Sequence, residues 1–253
     1  MIKAGIDIGS VTTKCVIVKD GVIFGKAITK TPLNIEKAID NVLQKAIEEA
    51  GIKEEEIKEF VSTGYGRKQC KKANRFITEI SAVAKGGHIF GGKKSCLIID
   101  VGGQDTKVVE VNDRGLVTGF LMNDKCAAGT GRFIEIMSNI LETDINGFSS
   151  LAMSSKNPIK INSTCSVFAE SEVISLITSL TPREDIAAGL FNSIALRITT
   201  MVRQFKNIDR ILFCGGGAKI PALKYYLEKN IEKELFVLHE PQFVSAYGAA
   251  MIE

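Results

Sequence analysis

Apolar positions along the chain follow two different periods. Ile2–Ile8, Lys14–Val18 and Val22–Ile28 read as three strands, the last two joined at an Asp20-Gly21 turn. After Asn34 the period changes. Apolar residues at 35, 38, 39, 42, 43, 46 and 47 mark one face of a helix, with Asn34 as its cap and Gly51 as its stop. Ile57–Ser62 reads as a strand, and Ile77–Ala84 as a helix that ends at Gly86-Gly87. Cys96–Val101, Thr106–Val111 and Leu116–Met122 form a second meander with a turn at Asn112–Gly115. Helices are predicted over Arg132–Leu141, from near Ser166 to about Thr178, over Ile186–Phe205 behind Pro182, over Ile220–Asn230 and over Phe243–Ile252. Strands are predicted at Arg210–Phe213 and Leu235–Leu238. This alternation argues for α/β layers.

The two meanders are copies of one plan. At an offset of 93, residues 6–20 and 99–113 share eight identities in fifteen positions. Ile6, Asp7, Gly9, Thr13, Lys14, Val16, Val18 and Asp20 recur as Ile99, Asp100, Gly102, Thr106, Lys107, Val109, Val111 and Asp113. Two units are too few for a solenoid. A two-fold duplication is expected, with residues 123–206 inserted in the second copy.

Composition narrows the function classes. The 253 residues are 45% hydrophobic and 24% charged, as in a globular protein, and carry a formal net charge of +3. That balance is too weak for a nucleic-acid partner, which calls for a basic stripe. No apolar run approaches the ~18 residues of a membrane span, and Met1-Ile2-Lys3 leads into a strand without a signal-peptide pattern, so no membrane association and a cytoplasmic location are expected. The six cysteines include no CxxC pair, which argues against a disulfide framework. Cys15, Cys96 and Cys214 sit on strands or their ends and read as core thiols. Cys70, inside the basic run Arg67–Lys72, is expected to be exposed. His88 and His239 are isolated and read as structural.

Both copies place Asp at a strand end before a Gly turn: Asp7 to Lys14 and Asp100 to Lys107. Glycine lets backbone N–H groups approach phosphate oxygens. Ser10, Thr12, Thr13 and Lys14 add donors, and Asp7 and Asp100 suit a water-bridged Mg²⁺. Neither turn matches Walker A or GxGxxG. Cys214 to Pro221 runs from strand through Gly215, Gly216 and Gly217 into a helix, a side-chain-free platform for adenine or ribose. Taken singly, each turn also reads as an ordinary hairpin or strand-to-helix connection.

Cys126 and Cys165 each stand before an amphipathic helix, whose N-terminal N–H groups and dipole favour a thiolate. Gly129 and Gly131 are expected to let backbone approach a bulky anion. A [4Fe–4S] cluster takes four cysteines. Two per chain become four in a two-fold dimer. The competing reading keeps both as buried free thiols with the glycines as caps.

With both Asp–Gly turns, the 214–221 segment, Ser62–Gly66 and Ala246–Ala250, the chain resembles the actin, hexokinase and Hsp70 ATPase superfamily. The resemblance spans almost the whole sequence. It implies two ribonuclease H-like domains with ATP and Mg²⁺ in the cleft between them. The first would be residues 1–94 with the C-terminal helix 242–253, and the second 95–241. Asn123–Arg132, Ser163–Val173 and the Asp100–Asp105 loop further resemble the activator components of 2-hydroxyacyl-CoA dehydratases, also called archerases.

That family implies Cys126 and Cys165 as ligands of one [4Fe–4S] cluster shared across a homodimer. It implies Gln104 as the residue that orients the attacking water, beside Asp7, Asp100 and Asp105. Nucleotide contacts are implied at Gly9, Ser10, Val11, Thr12, Thr13, Lys14, Gly102, Gly103 and Gln104, and at Gly215, Gly216, Gly217, Ala218, Pro221 and Gln242. A ferredoxin or flavodoxin donor and an iron–sulfur dehydratase or reductase acceptor follow from the same resemblance. Benzoyl-CoA-reductase-like and double-cubane partners stay open. A sugar or small-molecule kinase on this fold is the rival, although no separate sugar-binding motif stands out. An assembly protein that uses ATP as a clamp is a third reading.

Overall fold

The computed structural model describes residues 1–162, 165–206 and 209–252. Ser163 and Thr164 of the second cysteine motif, and Glu253, lie outside the described residues. The strands are β1 (Ile2–Ile8), β2 (Thr12–Lys19), β3 (Val22–Lys30), β4 (Glu59–Thr63), β5 (Arg75–Phe76), β6 (Cys96–Val101), β7 (Thr106–Val111), β8 (Val117–Asn123), β9 (Ile211–Gly215) and β10 (Leu235–Val237). The helices are α1 (Ile35–Ala50), α2 (Glu79–Phe90), α3 (Gly131–Ile140), α4 (Ile145–Ser154), α5 (Ser166–Thr178), α6 (Arg183–Val202), α7 (Pro221–Ile231) and α8 (Val244–Ala250).

One sheet has the order β3-β2-β1-β4-β5 and the other β10-β9-β6-β7-β8. Read from opposite ends, these are the same order, so the duplication seen in the sequence is a duplication of sheet topology. In the first sheet β1–β2 and β2–β3 pair antiparallel, while β1–β4 and β4–β5 pair parallel. The chain divides into two compact units. One comprises Met1–Ile98, Val109–Phe120 and Leu238–Glu253, the other Ile99–Val108 and Leu121–Val237.

The first unit shows how period-2 patterning builds layers. Along β2, Cys15 and Ile17 join the cluster formed with Ile39, Val42, Leu43 and Ala46 of α1. Val16 and Val18 point to the opposite face and pack with Ala246, Tyr247 and Ala250 of α8. Asn34 accepts from the Lys37 N–H at 3.2 Å to start α1, and Gly51, in the left-handed region at φ 64°, ends it as the pattern predicts.

Three expectations are corrected. Helix α2 does not stop at Gly86-Gly87 but continues to Phe90. A Cβ on Gly86 would stand 2.1 Å from the Val244 carbonyl oxygen, and one on Gly87 would stand 2.5 Å from Ile98 Cδ1. These glycines permit close packing, and tertiary contact overrides their low helix propensity. Helix α4 was not predicted at all. Asp144 caps it by accepting from the Gly147 N–H at 2.7 Å, and Phe148 stacks on Phe191 of α6 with ring centroids 4.5 Å apart. Cys70, expected to be exposed, is buried. Burial pushes its thiol pKa up, and burial does the same to Cys15, with a smaller contribution from Cys70.

Helix α8 meets β1 and α2 through residues without side chains. Added Cβ atoms would stand 1.9 Å from the Ala246 carbonyl oxygen at Gly5 and 1.9 Å from the Ala82 carbonyl oxygen at Gly248. Gly248→Ala is therefore expected to destabilise the chain by about 2 kcal/mol or more, within the range of core overpacking. Urea denaturation checks this, and an unchanged midpoint would contradict the packing described.

Candidate functional site

The first Gly turn is organised around Asp7. This residue lies one position before the end of β1 and is buried, with Lys14 of β2 donating to its carboxylate at 3.0 Å. The Gly9 N–H bonds the Thr12 carbonyl at 3.1 Å and closes the turn. Gly64, at φ 91°, lies so near that a Cβ there would stand 2.7 Å from Asp7 Oδ1. Thr13 is buried and does not face outward as a phosphate donor. Its hydroxyl bonds Thr31 Oγ1 at 2.9 Å, and Thr31 Oγ1 donates to the Gly9 carbonyl at 2.8 Å. Since the Thr31 proton is committed to Gly9, Thr13 is the donor of that pair. Ser10 and Val11 are exposed at the tip, and Thr12 and Lys14 are half-buried.

The second turn repeats this geometry. The Gly102 N–H bonds the Asp105 carbonyl at 2.9 Å. Asp100 is buried near the end of β6, with Lys107 Nζ at 3.7 Å. Lys107 also donates to Asp105 at 2.6 Å. Only 3% of Lys107 is exposed, so its charge serves these two carboxylates rather than solvent. Gly215, at φ 80°, takes the part of Gly64: a Cβ there would stand 2.3 Å from Asp100 Oδ1. Each carboxylate thus has a lysine on one side and a glycine without a side chain on the other. A glycine backbone packed this closely on each carboxylate admits no Cβ, and a carboxylate at such a turn is the kind of ligand a hydrated Mg²⁺ takes. Gly103 is half-buried and Gln104 is exposed on the turn. Gly216, Gly217 and Ala218 form a short 3-10 turn, Pro221 is the first residue of α7, and Gln242 lies in the 3-10 turn Pro241–Phe243 of the first unit.

The cysteine segment departs from expectation. Cys165 is the N-cap of α5, as its motif suggested, and it is exposed. Cys126 does not open a helix: α3 begins five residues later, behind Thr130. The first N–H groups of α3 point elsewhere. Gly131 donates to the Gly102 carbonyl at 2.9 Å and Arg132 to the Gly103 carbonyl at 2.7 Å. Gly131 therefore packs on the 102–105 turn, and Gly129, at φ 93°, packs against Arg197.

Cys126 is held instead by Asn123, the first residue of its motif, and by Arg197, which the sequence did not single out. Asn123 donates to the carbonyls of Cys126 and Ala128 at 3.0 and 3.1 Å and accepts from the Cys126 N–H at 3.3 Å. Arg197 of α6 donates to Cys126 Sγ at 3.6 Å. A cavity of about 800 Å³ borders Asn123 and Arg197 rather than the Gly turns.

The sequence profile of the BadF/BadG/BcrA/BcrD ATPase family matches residues 4–252. The chain belongs to that family. It is similar to the crystal structure of component A of the (R)-2-hydroxyglutaryl-CoA dehydratase of Acidaminococcus fermentans, with 36% identity and a TM-score of 0.94 over 99% of this chain and 96% of that one. It is similar too to the activator of the 2-hydroxyisocaproyl-CoA dehydratase from Clostridium difficile with bound ADPNP, with 39% identity and a TM-score of 0.93 over 99% and 93% of the two chains. A ROK family glucokinase from Streptomyces griseus shares the fold at 14% identity and a TM-score of 0.62, over 99% of this chain and 98% of that one. The actin, hexokinase and Hsp70-type ATPase fold that the resemblance implied is the fold of this chain.

Gly64 and Gly215 give a direct check on the two carboxylates. Gly64→Ala and Gly215→Ala are each expected to weaken ADPNP binding by tenfold or more, about 1.4 kcal/mol, with an unchanged circular dichroism spectrum. Calorimetric titration measures it. Wild-type affinity in either variant would remove that carboxylate from the nucleotide site.

Proposed function

We propose that this chain is an ATP-dependent reductive activator, which passes a low-potential electron to a partner iron–sulfur enzyme of the 2-hydroxyacyl-CoA dehydratase kind. The observation that carries this reading is the sorting of the cysteines. Cys15, Cys70, Cys96 and Cys214 are buried, whereas Cys126 is half-buried and Cys165 is exposed. The two accessible thiols are the two in the insertion, which an ATPase core by itself has no need of.

The donor set fits a shared iron–sulfur group. Among the described residues of one chain, no three or more His, Cys, Asp or Glu side chains gather as a metal site. Two thiolates from each of two copies make the four a [4Fe–4S] cluster takes. When bound there, such a cluster supplies a one-electron carrier. Helix α5 supports pairing of two copies. It starts at the Cys165 cap and leaves Phe168, Ile174 and Ile177 exposed, apolar side chains that a second copy would cover.

The remaining work belongs to the chain's own residues. The Gly turns at 9–12 and 102–105 hold the phosphates of ATP, with Asp7 and Asp100 holding Mg²⁺ through water and Gln104 orienting the attacking water. Lys14 and Lys107 hold the two carboxylates in place. Gly215–Ala218, Pro221 and Gln242 bound the nucleoside. ATP and ADP drive the protein between states only through unequal affinity for them. A ferredoxin or flavodoxin supplies the electron, and the acceptor is a dehydratase or a related reductase. A kinase reading gains nothing from the ROK fold and leaves the cysteine insertion without a task.

Anaerobic purification tests the proposal. The wild-type chain is expected to run as a dimer, to be brown and to carry about four irons per pair of chains. Cys126→Ser and Cys165→Ser are each expected to lose most of that iron and all ATP-dependent electron delivery to a dehydratase. A Cys126→Ser protein that keeps its colour and delivers electrons normally would end the proposal.

A further inference from the structure

Comparison of the two copies isolates what the insertion adds. In the first copy a hydrogen-bonded ring closes within the sheet, from Thr13 to Thr31 and from Thr31 to the Gly9 carbonyl. At the offset of 93, Thr106 stands for Thr13 and Gly102 for Gly9. There the ring closes through residues 129–131. Thr106 Oγ1 donates to the Gly129 carbonyl at 2.7 Å, and the Gly131 N–H donates to the Gly102 carbonyl at 2.9 Å. The same offset sets Thr31 opposite Asp124, immediately after β8. The cysteine segment enters the chain at the place Thr31 holds in the first copy.

We propose that Thr106 is a positioning residue that carries the nucleotide state of the 102–105 turn to Cys126. Its hydroxyl is buried, and it belongs to the residue that directly follows Asp105. Gly129, its acceptor, packs on the Arg197 stem, where a Cβ would stand 3.1 Å from Arg197 Cδ. The Arg197 guanidinium reaches the Cys126 sulfur, and Asn123 ties Cys126 to Ala128. A shift of the turn on exchange of ATP for ADP therefore moves Gly129, and the clasp around Cys126 moves with it. Thr13 has no such reach, because its partner Thr31 lies at the end of its own meander. The proposal rests on the reading above that the 102–105 turn binds nucleotide.

The test uses two readouts on the full-length chain. The first is the rate of Cys126 alkylation by iodoacetamide in protein prepared without iron, followed by mass spectrometry of the Cys126 peptide. The second is the rate of iron release to a chelator from anaerobically prepared protein. Each is measured with Mg²⁺–ADPNP and with Mg²⁺–ADP. In wild type both rates are expected to differ by threefold or more between the two nucleotides. Thr106→Val is expected to abolish that difference while ADPNP affinity stays within about threefold, and Thr106→Ser to restore it. A full nucleotide dependence in Thr106→Val overturns the proposal, as does a wild-type Cys126 whose alkylation ignores the nucleotide. If the protein binds no iron but Cys126 alkylation still depends on nucleotide and on Thr106, the cluster reading fails and the role of Thr106 stands.

Discussion

A buried carbonyl must find a donor, and at the two Gly turns this rule decides the architecture. Each turn is bent too sharply to satisfy its own carbonyls by a strand ladder. Gly9 solves this with the Thr31 hydroxyl. Gly102 and Gly103 solve it with the first two N–H groups of α3. The second solution satisfies two orphan groups at each end, since a helix N-terminus also needs acceptors for its first N–H groups. The helix start and the turn complete each other, and neither can move far without leaving the other unsatisfied.

The electrostatics follow the same economy. Asp7 and Asp100 are each at most 7% exposed, a burial no carboxylate tolerates without a counter-charge. Lys14 and Lys107 provide it. Lys107 divides itself between Asp100 and Asp105 and so ties the start of the turn to its end. Gly64 and Gly215 pack their backbone directly on the opposite side of each carboxylate, and their positive φ values exclude an ordinary side chain there.

Much of this was legible in the sequence because it is local or repeated. The 93-residue offset between Asp7 and Asp100 predicted two like sheets, and the sheets share one strand order. Asn34 and Gly51 marked the ends of α1 because capping is local chemistry. What was missed depends on distant partners. Gly86-Gly87 reads as a stop unless Val244 and Ile98 are known to press against it. Cys70 reads as exposed among lysines because the β1–β2 core that covers it lies elsewhere in the chain. Helix α4 is rich in serine, and Ser149 makes sense there only because it accepts from the Ala222 N–H at the start of α7. Arg197, 71 residues from Cys126, carries no local signal at all. Thr106 was visible as a repeat of Thr13, yet the repeat could not reveal that the two hydroxyls have different partners.

That difference is where duplication stops being symmetry. Two like turns that close their hydrogen bonds within their own sheets would sense nucleotide equally and report it to nothing. Replacing the Thr31 hydroxyl by the backbone of an inserted segment keeps the local bond count and changes what the bond is attached to. The turn retains its shape, because Gly102 still finds a donor and Thr106 still finds an acceptor. The segment carrying Cys126 is then registered against that turn by three hydrogen bonds, from Thr106, Gly131 and Arg132. Coupling of this kind needs no long pathway of side chains. It needs a helix whose N-terminus was going to require acceptors in any case, begun where Gly102 and Gly103 had carbonyls to give.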